Sequence, residues 1–226
     1  MNKLTKTLLA GVVTLGVAFT SVVWSTHVSA APIDRGGTVA LPVIAGDDLS
    51  ADEIAGLAFM REEEKLARDV YQTLGDLWGT QIFSNIARSE QAHMDAIGTL
   101  LDRYGIADPT DGNTIGEFTN ADLQALYDDL VDLGSQSVAD ALSVGAIIEE
   151  TDISDLLDEL ATVEHSNIQR VYSSLENGSE NHLRAYVSTL ARQTGETYEP
   201  QILDQTTFSQ IVSSTTGRGR RSGRSF

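Results

Sequence analysis

Between Gln81 and Tyr104, the apolar residues Phe83, Ile86, Ile97, Leu100 and Tyr104 fall on steps of three and four, the spacing of one buried helix stripe. Glu90 and His93 occupy two successive places in that stripe. A buried carboxylate costs several kcal/mol unless it is protonated, paired or bound to a cation. Any fold of this chain must therefore supply a partner for Glu90 and His93.

The arrangement recurs along the chain. Ser50-Ala-Asp-Glu53 is a capping box that opens a helix, and the stripe behind it runs Leu57, Met60, Glu64, Ala67, Tyr71, Leu74. "LWGT" (77–80) breaks that helix, and Gly105 stops the next one. "IADPTDGNTIGEFTN" (106–120) reads as a loop, and Asn120 caps a short helix ending at Gly134. A third long helix begins near Ser137. Glu149 falls in its stripe of Leu142, Ala146, Ile153, Leu156 and Leu160, but Glu150 competes. Apolar residues follow Glu150 at the same offsets as they follow Glu64, so either Glu149 or Glu150 points inward. The remainder reads as helix, a break at Asn177-Gly178, and a further helix carrying His182. "HLRAYVSTL" (from His182) and "HMDAIGTLL" (from His93) share His, Ala and Leu at matching offsets, as an internal duplication would leave them.

No segment has strand periodicity. The pattern predicts an all-α fold over residues 50–195, a four-helix bundle whose crossover connection contains a short helix. Residues 196–226 lose the pattern and end in "TTGRGRRSGRSF", predicting a disordered basic tail. Residues 31–49 read as a leader or linker. Residues 1–30 carry Lys3 and Lys6, an apolar run and "VSA" before Ala31, the order of a cleaved signal peptide. The expected product is exported, periplasmic or extracellular, with no transmembrane anchor after cleavage.

That compartment permits disulfides, yet the chain has no cysteine, so stability must come from the core or from metal. The formal charge is −18, and −20 once Lys3 and Lys6 leave with residues 1–30, which hold no acid. Such a surface repels nucleic acid and attracts cations. A homodimer is one assembly the sequence allows.

Clustered carboxylates with two histidines and no thiolate suit iron, manganese or zinc in a site built from oxygen and imidazole. A di-iron carboxylate bundle takes a Glu from each of two helices and a Glu-x-x-His from each of the other two. "EKLARDVY" (64–71) and "FSNIARSEQAHMDAI" (83–97) resemble the helix signatures of rubrerythrin-type ferritin-like proteins. With "GAIIEETDI" and "GSENHLRAY", they more closely resemble an uncharacterised ferritin-like family of exported prokaryotic proteins, over roughly residues 50–192. The resemblance implies a ferritin-like bundle and metal ligation by Glu64, Glu90, His93, one of Glu149 or Glu150, and His182. Ser179 stands where a complete fourth-helix motif would have glutamate, which leaves Glu180, Glu176 or a water as the substitute. No cysteine pair is present for a rubredoxin-type centre, so electrons must come from an external donor.

Among the other residues, Glu62 and Glu63 read as a solvated face, with Glu63 nearer the core edge, and His165 as an ordinary surface or loop histidine. Tyr71 is either a core aromatic with a satisfied hydroxyl or a group that hydrogen-bonds a ligand carboxylate or quenches a radical. Two functions follow. One is an exported protein with two iron (or manganese) ions that oxidises Fe(II) or reacts with dioxygen or peroxide, a ferroxidase-like or peroxidase-like oxidoreductase. The other is a cell-surface helical binding module with a vestigial or single-ion site.

Overall fold

The computed structural model describes residues 49–214, so the signal-peptide and leader readings and the last residues of the basic tail lie outside them. Among the described residues the protein is all-helical, with six helices and no strand: α1 (Ala51–Trp78), α2 (Gln81–Tyr104), α3 (Ala121–Gly134), α4 (Val138–Thr162), α5 (Ser166–Thr194) and α6 (Gln205–Ser213). None is long and apolar enough to cross a membrane.

Gly79, at φ 64°, ends α1 in the left-handed conformation that only glycine adopts cheaply, and a two-residue link folds α2 back along it. Residues 163–165 return α5 along α4, α1 faces α4, and α2 faces α5. Leu57, Met60, Ile97, Leu101, Leu156, Ile168 and Tyr172 fill the core at one end. This packing turns the polar members of all four stripes toward each other.

The capping box at Ser50 and Glu53 is formed, and Glu53 does more than cap. Its Oε1 also accepts from the backbone N–H groups of Glu164 (3.1 Å) and His165 (3.2 Å) and lies 2.6 Å from His165 Nδ1. His165 is thus the partner that ties the α4–α5 turn to the start of α1, not an ordinary surface residue. Burial opposes ionisation of Glu53, but these donors hold its pKa down at about 2. A depressed carboxylate stabilises the fold fully above its unfolded pKa and loses that contribution as pH falls toward its folded one. Glu53→Gln is therefore expected to lower the melting temperature most above pH ~4.5, with the difference from wild type shrinking as pH approaches 2. Parallel melts across that range check this. A gap independent of pH would show that the charge contributes nothing.

The connection from α2 to α4 is fastened from below by α1. Lys65, 1% exposed, reaches Asp69 (2.5 Å) and the carbonyls of Thr114 (2.7 Å) and Glu117 (2.9 Å), with its ammonium 4.4 Å from the Phe118 ring centroid. Glu62 accepts from the N–H groups of Thr119 (2.6 Å) and Asn120 (3.1 Å). Glu62 and Glu63 are both buried, which corrects the solvated-face reading.

Two further expectations change. Helix α5 runs unbroken through Asn177-Gly178, and the glycine has a steric reason to be there. A Cβ at Gly178 would lie 2.6 Å from His93 Nε2. The ordered chain also continues beyond residue 195. Glu150 accepts from the N–H groups of Gln201 (2.9 Å), Ile202 (2.6 Å) and Leu203 (3.2 Å), holding a non-helical strap, and Tyr198 of the strap and Phe208 and Ile211 of α6 are buried.

Candidate metal centre

Five of the six ligand candidates converge. Glu64 from α1, Glu90 and His93 from α2, Glu149 from α4 and His182 from α5 meet midway along their helices, with each carboxylate no more than 2% exposed. Glu150, the sixth, belongs to the C-terminal strap. The adjacent pair divides, with Glu149 facing the histidines and Glu150 facing backbone donors.

Glu90 is the hinge of the cluster. Its Oε2 lies 2.8 Å from His93 Nδ1 and its Oε1 lies 2.8 Å from His182 Nδ1. His93 Nδ1 is also 3.2 Å from Glu64 Oε2, and His182 Nδ1 is 3.4 Å from Glu149 Oε2. The two imidazoles stack with centroids 5.6 Å apart. Two sets of ligand atoms result, Glu64–Glu90–His93 and Glu90–Glu149–His182, with the atoms of each set within 4.8 Å of one another.

The contact between Glu90 Oε1 and His182 Nδ1 is close enough for an ion pair but is not aligned as a hydrogen bond, and both atoms are left without a hydrogen-bond partner. Glu64 Oε1 is likewise buried and unpartnered. Buried polar atoms almost always find partners, so three orphans around one point fit a site built for something other than hydrogen bonds. His182 Nε2 lies 3.0 Å from Ser89 Oγ, an outer contact that fixes the ring and leaves Nδ1 facing the carboxylates.

The electrostatics are those of a compressed acidic cluster. Burial and then Asp152 push the Glu64 carboxyl well above the usual range. Burial also raises Glu149. Glu90 is buried too, but its contacts with His182 and His93 hold it down at about 2. Burial disfavours charge on the histidines, yet Glu64 and Glu90 raise His93 to about 11, and Glu149 and Glu90 raise His182 to about 10. Without metal, the histidines act as the counterions of the glutamates.

Two participants, Asp152 and Tyr186, were not singled out from sequence. Asp152 is 5% exposed and accepts a hydrogen bond from Ser179 Oγ. It lies three residues after Glu149, the same spacing that links Glu90 to His93, and that spacing was the available signal. Ser179 is therefore not a gap in the acidic shell, because its hydroxyl holds a carboxylate from the facing helix. Glu180 instead pairs with Arg184 (3.4 Å), and Glu176 is in neither set. Tyr71 donates to Glu149 Oε1 at 2.6 Å, and Tyr186 lies against it with ring centroids 5.2 Å apart. Tyr186 stands four residues after His182, on the same helix face, and Gly145 leaves the space for its ring.

A profile of the family described as "Uncharacterized protein domain (DUF2202)" matches residues 53–215. The chain belongs to this family. The DUF2202 match ends just beyond α6, so it takes in the strap and the last helix as well as the four long helices. The chain is 48% identical over 171 residues to "Uncharacterized protein MJ0754" of Methanocaldococcus jannaschii, covering 76% of this chain and 92% of that protein. The crystal structure of the hypothetical protein MJ0754 from that archaeon is similar to it with a TM-score of 0.74 at 46% identity, covering 79% of this chain and 99% of the other.

Proposed function

We propose that this DUF2202 chain is a ferritin-like dimetal carboxylate protein, holding two iron ions, or manganese or zinc in their place, and acting on Fe(II), dioxygen or peroxide. The observation that carries the reading is the pair of ligand sets sharing Glu90. The packing of two helical hairpins through a long connection containing α3 supports the ferritin-like bundle.

Charge accounting favours two divalent ions over one. Glu64, Glu90, Glu149 and Asp152 supply four negative charges at the centre, which two such ions neutralise while His93 and His182 bind as neutral imidazoles. In this reading Glu90 would bridge the ions, with Glu64 and His93 on one side and Glu149 and His182 on the other. Bound iron would supply one-electron chemistry and open positions for an oxidant. Around it, Tyr71 fixes the free oxygen of Glu149 and brings an oxidisable phenol to the edge of the centre. Ser89 orients His182, and Gly178 clears room for His93. With no cysteine in the chain, electrons come from a separate donor.

Metal binding relieves the repulsion among these carboxylates, and any ligand that binds only the folded state stabilises it. Fe(II) added without oxygen, or Mn(II), is expected to raise the melting temperature with concentration, by about 2.7 kcal/mol of stability at a hundredfold excess over Kd. A melt unchanged through saturating metal would contradict the reading and leave a helical binding module.

A further inference from the structure

A cleft of about 540 Å³ opens between the end of α1 and the start of α2, beside the Gly79 turn. Small-molecule sites span roughly 300–1,000 Å³. One strip of each helix lines it, with Gln72, Gly75 and Asp76 on α1 facing Ser84, Ala87 and Arg88 on α2. Gly75 and Ala87 leave the floor bare. Helix packing accounts for Gly75, whose Cβ would lie 3.1 Å from Phe83 Cβ, but not for what the cleft reaches.

Tyr71 belongs to its wall. That side chain is 0% exposed, and its hydroxyl donates to Glu149 Oε1 at 2.6 Å. One phenol thus joins the cleft to a candidate metal ligand. Gln91, which follows Glu90 in the chain, lines the same cleft and is held by Arg68 at 2.6 Å.

The lining selects the ligand. Gln72 and Gln81 offer amides, and Thr80 and Ser84 offer hydroxyls. Asp76 and Arg88 supply one charge of each sign, so the cleft is balanced in a chain of net charge −18. Such a lining favours an uncharged molecule with hydroxyl groups at its edge and a flat body for the bare floor. A phenol also exchanges electrons readily with another phenol, because their O–H bonds are of similar strength. We propose that this cleft binds a small dihydroxyaromatic reductant and passes its electrons through Tyr71 to the centre. The delivery of electrons rests on the metal reading of the centre, whereas the binding does not.

With peroxide as the oxidant, the reductant gives up two electrons and two protons and leaves as the quinone. Peroxide takes up two electrons and two protons, its O–O bond breaks, and two waters form. Tyr71 passes the electrons one at a time, its proton moving along the hydrogen bond to Glu149 and back. The reductant's protons leave to solvent. Since Tyr71 is buried and the glutamates of the centre are at most 2% exposed, electrons cross while the reductant stays outside.

Hydroquinone is the probe, titrated without oxygen into full-length metal-free protein and followed by saturation-transfer NMR. Wild type is expected to bind it. Ser84→Trp and Gln72→Trp fill the cleft from opposite walls without touching the core, and each is expected to weaken binding about tenfold or more. Glu90→Ala should bind as wild type does. In iron-loaded protein, Tyr71→Phe should bind hydroquinone unchanged but oxidise it with peroxide about tenfold more slowly or worse. No binding to wild type, or binding that both tryptophans leave unchanged, would overturn the inference. Equal oxidation rates in Tyr71→Phe and wild type would overturn it as well. Melting with Mn(II) separates its failure from that of the centre. If both tryptophan variants block hydroquinone but Mn(II) leaves the wild-type melt unchanged, the binding site stands, while the reading of the centre and the delivery of electrons fall.

Discussion

Replacing Glu90 by alanine is expected to remove both of the proposed metal ions at once. Each oxygen of Glu90 serves a different histidine, at 2.8 Å in both cases, so the substitution breaks both ligand sets. Glu64→Ala and Glu149→Ala each damage one set and leave the other with its three donors, and each is expected to cost one ion. Metal content of the three variants after identical loading distinguishes these outcomes. Equal losses would mean that Glu90 does not bridge. Each set holds two glutamates and one histidine, so the two proposed ions are expected to bind with similar strength.

Lys65→Met is expected to destabilise the fold by about 3–5 kcal/mol, the cost of breaking a buried ion pair from one side. Asp69, 0% exposed, would lose its ammonium partner and keep Arg68, 2.7 Å away, and the Gly116 N–H, 2.9 Å away. The Thr114 and Glu117 carbonyls would lose their donor as well. Denaturant unfolding measures the loss. The double substitution Lys65→Met, Asp69→Leu should recover part of it, because it removes the stranded charge rather than leaving it buried. A loss under 1 kcal/mol would mean that the connection between α2 and α4 is not held by this pair.

Much of this was legible in the sequence because helices advertise themselves through period and caps. Ser50 with Glu53, Asn120, Ser137, Gly79 and Gly105 mark element ends that the structure keeps. Stripe position was enough to pick out Glu64, Glu90, His93 and His182, because a polar residue at a core register has no neutral explanation. Stripe position could not decide between Glu149 and Glu150. Both are buried, and what separates them is a non-helical strap with no periodicity of its own.

The misreadings share one cause. Glu62 and Glu63 were read as charges that seek water, but both are buried, and Glu62 is tied to a loop that local pattern does not reveal. Asn177-Gly178 looked like a break because glycine weakens helices by about 1 kcal/mol. The compensating term is tertiary, the space that His93 needs. Asp152 escaped notice because only the approach of α5, with Ser179, shows that the carboxylate is held.

The central claim is that two metal ions lie between the four long helices, bridged by Glu90. Crystals of iron-loaded protein, with diffraction recorded on both sides of the iron absorption edge, test it most directly. The account predicts two anomalous peaks a few Å apart, one beside His93 Nδ1 and one beside His182 Nδ1, with the Glu90 carboxylate between them. No peak between these side chains, or a single peak away from Glu90, would contradict it.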